Sequence, residues 1–477
     1  MMFLISHKTR RYIIYVFISL LLCLVAGSAC ALTIEEEKKA GKELYDKLEK
    51  HGYIEHNAKA EKYIAEIGKR LLTAGKPVFD FRFSVIKSSG VNAFATPGGY
   101  VYVNRGLINL VETESQLAGV LAHEIAHVNA RHVSDMVEKS GKMNIATLAA
   151  LMASAILGGG GQASAAMSAM TMAAATHMSL QYSREHEDQA DRMGMGYLIQ
   201  SGYDGNAVID FLKIMRRYEY YSNSVPSYFL THPGTDERIS YLDGLLQTTY
   251  RLQSGKQSVL GGLKRIQALL ALEDKDLKSI LNKYEDDLKN HPDDIDVLYG
   301  LALVQEKAGL MTQAGNSFQK AIKLAPEDED IVRDTGIFHF LNGRSEDAVI
   351  LLKKAHHLNS DDVNAASWLA KAYAATGQYA SALDLYRELE AKKIDDIDIY
   401  YDMGMVYGKT NHPGESHYNF GLFFMKKKKK DSALFHFNAA LPYFPKGSTR
   451  ALEIEKSIKD LNLKGPSGDL NKKRQSQ

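Results

Sequence analysis

Glycines at positions 309, 343 and 377 recur every 34 residues. The same interval separates Ala314, Ala348 and Ala382, and again Phe318, Leu352 and Tyr386. Self-similarity at this period means that one helix-turn-helix unit is being stacked, because a single unit cannot bury its apolar face alone. Leu301-Ala302 and Leu369-Ala370 mark the first helix of their units, and Pro292 and Pro326 close successive ones. The C-terminal half is therefore expected to be an all-helical superhelix whose inner face binds extended peptides or partner proteins. Gly421, Ala433, Phe437, Ala440 and Pro445 fit a further unit in a shifted register. Residues 400–410 read as a first helix without its second, an irregularity near Asn411-His412-Pro413-Gly414.

The N-terminal half carries a different signal, His123-Glu124-Ile125-Ala126-His127. On a helix the i and i+4 side chains share a face, so two imidazoles at this spacing can grip one Zn²⁺ while Glu124 takes a proton from the attacking water. Residues 117–122 are apolar apart from one glycine and would carry a buried helix into such a site. A catalytic zinc needs a third protein ligand. Glu187, within Ser183-Arg184-Glu185-His186-Glu187-Asp188-Gln189-Ala190-Asp191, is the best candidate, with His186 its rival. Asp191 falls four residues after Glu187, where its carboxylate can hold the free ring N–H of a metal-bound histidine or simply pair with an arginine. The helix is expected over residues 112–137, after strands at 79–86 and within 91–103. His132 and His177 are expected to be structural.

The run from His123 to His132, followed by residues 183–191, resembles the zinc metallopeptidase family that includes HtpX and the CAAX-prenyl endoproteases. Two further segments agree: residues 92–103, around Pro97-Gly98-Gly99, are similar to that family's strand before the zinc helix. Thr231-His232-Pro233 with Arg238-Ile239 is similar to its later His-Pro motif. The likeness covers roughly residues 35–250, and the 34-residue unit resembles the tetratricopeptide repeat. The resemblance implies a helix-rich α+β zinc metalloprotease domain followed by an all-α tetratricopeptide-repeat superhelix. It implies one zinc per chain on His123, His127 and Glu187, with Glu124 as general base and Asp191 supporting. It also brings His232 to the active site, either as a hydrogen-bond donor to the oxyanion or as a cap on the open zinc position; the restraint an exported protease needs favours the cap. Residues 92–103 become either an edge onto which substrate adds as a strand or a purely structural strand. The implied partners are unfolded or stalled outer-membrane proteins, their β-barrel assembly machinery and the lipopolysaccharide-export barrel. A largely latent chaperone or assembly adaptor is the rival function.

At 477 residues the chain is too long for one core. Lys8, Arg10 and Arg11 precede an apolar run at 12–26, and Ala29-Cys30-Ala31 offers a signal-peptidase site, so residues 1–31 are expected to be a secretory signal and the mature protein periplasmic. An uncleaved anchor is the rival reading. Residues 32–255 then form the peptidase domain, 263–464 the repeats and 465–477 a disordered tail. Cleavage would remove both cysteines, Cys23 and Cys30, and three of 58 basic side chains against 57 acidic ones, leaving a net charge of −2. Near-neutral charge argues against a nucleic-acid partner. Residues 144–178, rich in Ala, Met, Leu and Ser and broken by four glycines, read as a packed helical hairpin or as a flap over the cleft. Residues 426–430, all lysine, read as a solvated turn or as a peripheral contact with anionic membrane or an acidic partner.

Overall fold

The computed structural model describes residues 32–140, 182–222, 227–233, 235–251, 253, 255–273, 276–392 and 396–463. The expected signal peptide, the 144–178 segment, His177 and the tail from Gly465 lie outside the described residues. The chain divides into two compact units, Met1–Ile280 and Leu281–Gln477.

The first unit is built from α1 (Ile34–Lys50), α2 (Ala58–Leu72), β1 (Arg82–Ile86), β2 (Ala93–Thr96), β3 (Tyr100–Asn104), α3 (Arg105–Leu110), α4 (Glu114–Asn129), α5 (His132–Ser140), α6 (Arg184–Gln200), α7 (Asn206–Ser222), α8 (Ser227–Thr231), α9 (Thr235–Thr248) and α10 (Leu263–Ala271). The sheet order is β1-β3-β2, with β3 parallel to β1 and antiparallel to β2. Every residue of α4 from Glu114 to Val128 is buried, which is why its sequence is apolar on all sides rather than on one stripe. Leu117, Leu121 and Ile125 share one core with Ile64 and Ile67 of α2 and Val101 and Val103 of β3. Each such side chain contributes about 1.5–3 kcal/mol by leaving water. α6 passes so close to α4 that a Cβ at Gly194 would lie 3.0 Å from the His123 backbone nitrogen. That approach sets Asp191 and Glu187, three and seven residues earlier on the same helical face, beside His123.

The single helix expected over 112–137 is in fact two. α4 stops at Asn129, Arg131 adopts a left-handed φ of 55°, and α5 begins at His132. A non-glycine residue there costs roughly 1–2 kcal/mol. The Arg131 guanidinium offsets this by binding the buried Glu37 carboxylate of α1 (Nε to Oε1 2.7 Å) and the Leu32 carbonyl. Residues 263–271, placed by sequence in the repeat half, pack as α10 in the first unit's core through Leu263, Ile266 and Leu270. There Gln267 donates to the carbonyls of Ile108 and Val111, each at 2.8 Å.

α11 (Leu277–Asn290) contains the division between units. The second unit continues with α12 (Ile295–Lys307), α13 (Met311–Leu324), α14 (Glu329–Leu341), α15 (Ser345–Leu358), α16 (Val363–Ala375), α17 (Tyr379–Ala391), α18 (Asp398–Lys409), α19 (Pro413–Lys426), α20 (Lys430–Ala440) and α21 (Thr449–Leu463). Asp294, Asp328 and Asp362, again 34 apart, cap the first helix of successive pairs. Gly309, Gly343 and Gly377 turn each pair at φ 77–78°. The apparent irregularity near Asn411 is the next such turn: Asn411 lies 34 residues after Gly377 with φ 61°, so α19 completes the pair begun by α18. Asparagine tolerates the left-handed conformation, so a search for glycine alone passes over it. Lys428 repeats the turn 17 residues later at φ 59°, and α19 then also serves as first helix to α20. Small residues admit large ones across each pair: a Cβ at Gly404 would meet the Phe420 ring at 3.0 Å.

One buried carboxylate ties the segment after α9 to the start of α4. Glu114 accepts the N–H groups of Val259 (3.1 Å), Leu260 (2.8 Å) and Gly261 (2.8 Å) and the hydroxyls of Ser258 (2.9 Å) and Tyr63 (3.1 Å). Burial pushes its pKa up, but the three backbone donors and Ser258 outweigh burial and hold it below the usual 4.5. Glu114→Gln is expected to cost the first unit about 1–3 kcal/mol at neutral pH, because an amide cannot accept from all these donors. A carboxylate with a depressed folded pKa stabilises fully above its unfolded value and loses that contribution as pH falls through the folded one. The parent-to-variant gap should therefore close below pH 4.5. Urea unfolding at several pH values, with chelator in both samples, measures this; equal stability at neutral pH would contradict it.

Candidate metal centre and active site

Four buried side chains converge: His123 and His127 from α4, Glu187 from α6 and His232 just after α8. One ligand atom from each can be chosen so that all lie within 4.8 Å of one another. The Nε2 atoms of His123 and His127 are 2.9 Å apart, and His232 Nδ1 lies 3.3 Å from His123 Nε2 and 3.0 Å from Glu187 Oε1. Glu187 Oε2 is 3.4 Å from His123 Nε2, and its Oε1 is 3.4 Å from His127 Nε2. Tetrahedral zinc with bonds of about 2.0–2.1 Å needs ligand atoms about 3.3 Å apart, so the spacing suits that ion. So does the donor chemistry, three imidazoles and a carboxylate. His232, expected at the site in either of two roles, stands inside the donor set. His186, the rival ligand, is turned away, its Nε2 2.7 Å from Asp135 Oδ2.

The ligands are held from behind. His123 Nδ1 meets Asp191 Oδ1 at 2.9 Å, and Arg238 of α9 grips Asp191 with two hydrogen bonds of 2.7 and 2.8 Å while its third nitrogen lies 2.9 Å from Glu187 Oε2. Burial pushes the Asp191 pKa up, but Arg238 and His123 pull it down to about 2. Burial raises Glu187 as well, yet His232, Arg238 and His123 leave it well below the carboxylate range. Burial and Arg238 push His123 down, but Glu187 and Asp191 prevail and hold it up at about 9. His127, buried beside His123, is driven well below 6.5. Glu124, Glu187 and Asp191 are three buried carboxylates with one guanidinium among them, a balance that calls for a dication.

Glu124 is fully buried, and neither carboxylate oxygen has a hydrogen-bond partner. His232 Nε2 lies 3.4 Å from its Oε1, and burial raises its pKa. An unpartnered carboxylate beside a metal-ligand set is chemically a waiting proton acceptor. Two tyrosines that no sequence motif singled out complete the walls. The Tyr182 ring lies 3.9 Å from that of His127, and Tyr228 stacks on His232 at 4.6 Å. β2, at the sheet edge, packs against α4. Far along the chain, part of the lysine run is engaged by its own repeats: Lys426 lies over the Tyr400 ring at 5.3 Å and Lys427 over Phe423 at 5.4 Å.

Residues 58–246 match the family model described as Peptidase family M48, and residues 259–402 match one described as Tetratricopeptide repeat. A Vibrio cholerae protein named "Putative beta-barrel assembly-enhancing protease" is 35% identical over 218 residues, 45% of this chain and 45% of that one. The Escherichia coli K12 "Beta-barrel assembly-enhancing protease" is 31% identical over 217 residues, 45% of this chain and 44% of its own length. The Schizosaccharomyces pombe "Mitochondrial metalloendopeptidase OMA1" is 30% identical over 182 residues, 38% of this chain and 51% of that protein. The matched stretch thus spans about half the length of these curated relatives. An M48 peptidase domain followed by tetratricopeptide repeats is the architecture the sequence motifs implied.

The donor set has a direct test. Metal analysis should find one zinc per chain, and Glu187→Gln should weaken its retention sharply, because a carboxamide is a poorer ligand than a carboxylate and leaves Arg238 half-paired. Stoichiometric zinc of undiminished affinity in that variant would remove Glu187 from the set.

Proposed function

We propose that the chain is a zinc-dependent endopeptidase of the periplasm that degrades misassembled outer-membrane proteins and assists their assembly. The observation that carries this reading is the set of four buried ligand atoms, all within 4.8 Å of one another, beside the unpartnered Glu124 carboxylate. In this reading His123, His127 and Glu187 hold one zinc. When bound, zinc supplies Lewis acidity to the scissile carbonyl and to the attacking water. Glu124 takes the water's proton and then delivers it to the leaving amine nitrogen; burial raises its proton affinity in the direction a base working near neutral pH needs. Asp191, anchored by Arg238, keeps the proton on His123 Nδ1 and so keeps Nε2 free. Extended substrate adds alongside β2, where backbone pairing gives affinity with little sequence selectivity. The relatives' names support outer-membrane β-barrel assembly as the setting. The repeat unit recruits stalled clients or the assembly machinery, since among the described residues it contains no second ligand cluster.

Glu124→Gln is the central test. The variant should keep zinc and fold and lose about 10²–10⁴-fold in cleavage of an unfolded outer-membrane protein, because an amide cannot take the proton. Turnover near the parental rate would exclude Glu124 as the base.

His232 favours a second reading, a largely latent protein acting as a chaperone or adaptor, because its Nδ1 stands where a fourth ligand would stand. We infer a cap rather than an oxyanion donor in this arrangement. His232→Ala should then keep zinc and raise proteolysis, self-cleavage included. A lower rate with zinc retained would assign the oxyanion role, and unchanged rate and zinc would remove His232 from the chemistry.

A further inference from the structure

His127 offers Nε2 to the ligand cluster, so its Nδ1 must carry the ring proton and needs an acceptor. The atom facing it is Nδ1 of His132, at 2.9 Å. On its other side His132 Nε2 lies 3.1 Å from Gln189 Oε1. We propose that His132 and Gln189 form a neutral relay that fixes His127 as the Nδ1–H tautomer and thereby sets the metal affinity of the site. This rests on the metal-centre reading above.

The bonding allows one consistent assignment. The Gln189 carbonyl oxygen accepts, so His132 carries its proton on Nε2; its Nδ1 is then a lone pair, and His127 donates to it. Turning the Gln189 amide over, or protonating both nitrogens of His132, would force the His127 proton onto Nε2 and abolish ligation. His123 obtains the same tautomer from Asp191, a carboxylate already paired with Arg238. The two α4 ligands are thus oriented by different chemistry, one ionic and one neutral.

The backbone is arranged to make the relay possible. On an uninterrupted helix a residue five positions on points about 140° away, so His132 could not face His127. The left-handed Arg131, held by Glu37 and the Leu32 carbonyl, breaks the helix at that point and folds His132 back. Its ring is then stacked on His186 at 4.4 Å, while His186 is itself held by Asp135. Strain kept at one residue, a stacked ring and a partner at each ring nitrogen are what a positioning residue requires.

The test uses the full-length protein and reads zinc affinity by chelator competition, with imidazole ¹⁵N shifts of the zinc-loaded protein reporting the His127 tautomer. Gln189 is exposed, so its substitution leaves the packing intact. Gln189→Met removes the acceptor and His132→Phe removes the relay while keeping a ring against His186; zinc affinity should fall by about 10-fold and by up to about 100-fold respectively. Gln189→Glu keeps an acceptor and should hold zinc at least as tightly as the parent, with the Nδ1–H signature unchanged. Affinities of Gln189→Met and His132→Phe within about twofold of the parent would overturn the relay, since these changes should cost 10–100-fold if it operates. A parent that takes up no zinc would instead sink the metal-centre reading on which it stands.

Discussion

Arg238 holds Asp191 and Glu187 together in a space that excludes water, and the active-site half of the first unit is organised around that grip. Burying an ion is costly unless it is paired, and removing one member of a buried pair leaves the other stranded at about 3–5 kcal/mol. Three carboxylates against one guanidinium would be untenable in a closed core, and the imbalance reaches the histidines: against burial, Glu187 and Asp191 hold the His123 pKa above its usual value. A metal dication would meet the same demand more completely. The ion network therefore ties α9 to α6, presses α6 against α4 at Gly194, and creates an electrostatic demand that a metal dication in the cluster would meet.

The parts of this centre that follow helix periodicity were legible in the sequence. His123 and His127 at i and i+4, and Glu187 and Asp191 at the same spacing, fall on shared faces, and the structure brings both pairs together. Arg238 was visible only as a member of a motif, with no signal of which carboxylates it joins, because that depends on α9 crossing α6. The placement of His132 beside His127 was hidden for a related reason. A reading that continues one helix from 112 to 137 places it away from His127, and nothing in Ala130-Arg131-His132 announces a left-handed residue, whose cost is met by Glu37 about a hundred positions earlier. Long-range partners of this kind have no local trace.

The repeat half shows the same boundary between local and distant information. The turn glycines and the small-against-large pairing across helices are local, and they recur where the spacing placed them; the aspartate caps share that interval but emerged only with the structure. Asn411 and Lys428 escaped because the left-handed turn is a backbone state and glycine only its commonest occupant. Once the state rather than the residue is followed, the array runs unbroken from α12 to α20, with α19 shared between two pairs. The linker side was harder still: nothing in Leu263 or Ile266 says which core takes them, and α10 is committed to the first unit by the shape of the space beside α2 and α3.

His232 is where packing and chemistry oppose one another. Its ring is wholly buried, stacked on Tyr228, and its backbone N–H is bonded to the Tyr228 carbonyl at 2.9 Å. The preceding carbonyl, that of Thr231, accepts from the Tyr182 N–H at 3.2 Å, so the His232 turn is fastened to the residue that precedes the α6 N-cap and packs on His127. Withdrawing the imidazole would sacrifice a stacking contact, and moving the whole turn would also break two backbone hydrogen bonds, each worth about 0.5–1.5 kcal/mol. Against that cost stands Glu124, whose oxygens are unsatisfied as long as only His232 Nε2 approaches them. A peptide group and a water entering the cleft would supply the partners that Glu124 lacks and compete for the position His232 holds. Under the proposed cap, release therefore belongs to the substrate: the interactions that pay for opening are the same ones that assemble the reacting groups, so a chain that cannot present a peptide bond to Glu124 leaves the cap closed.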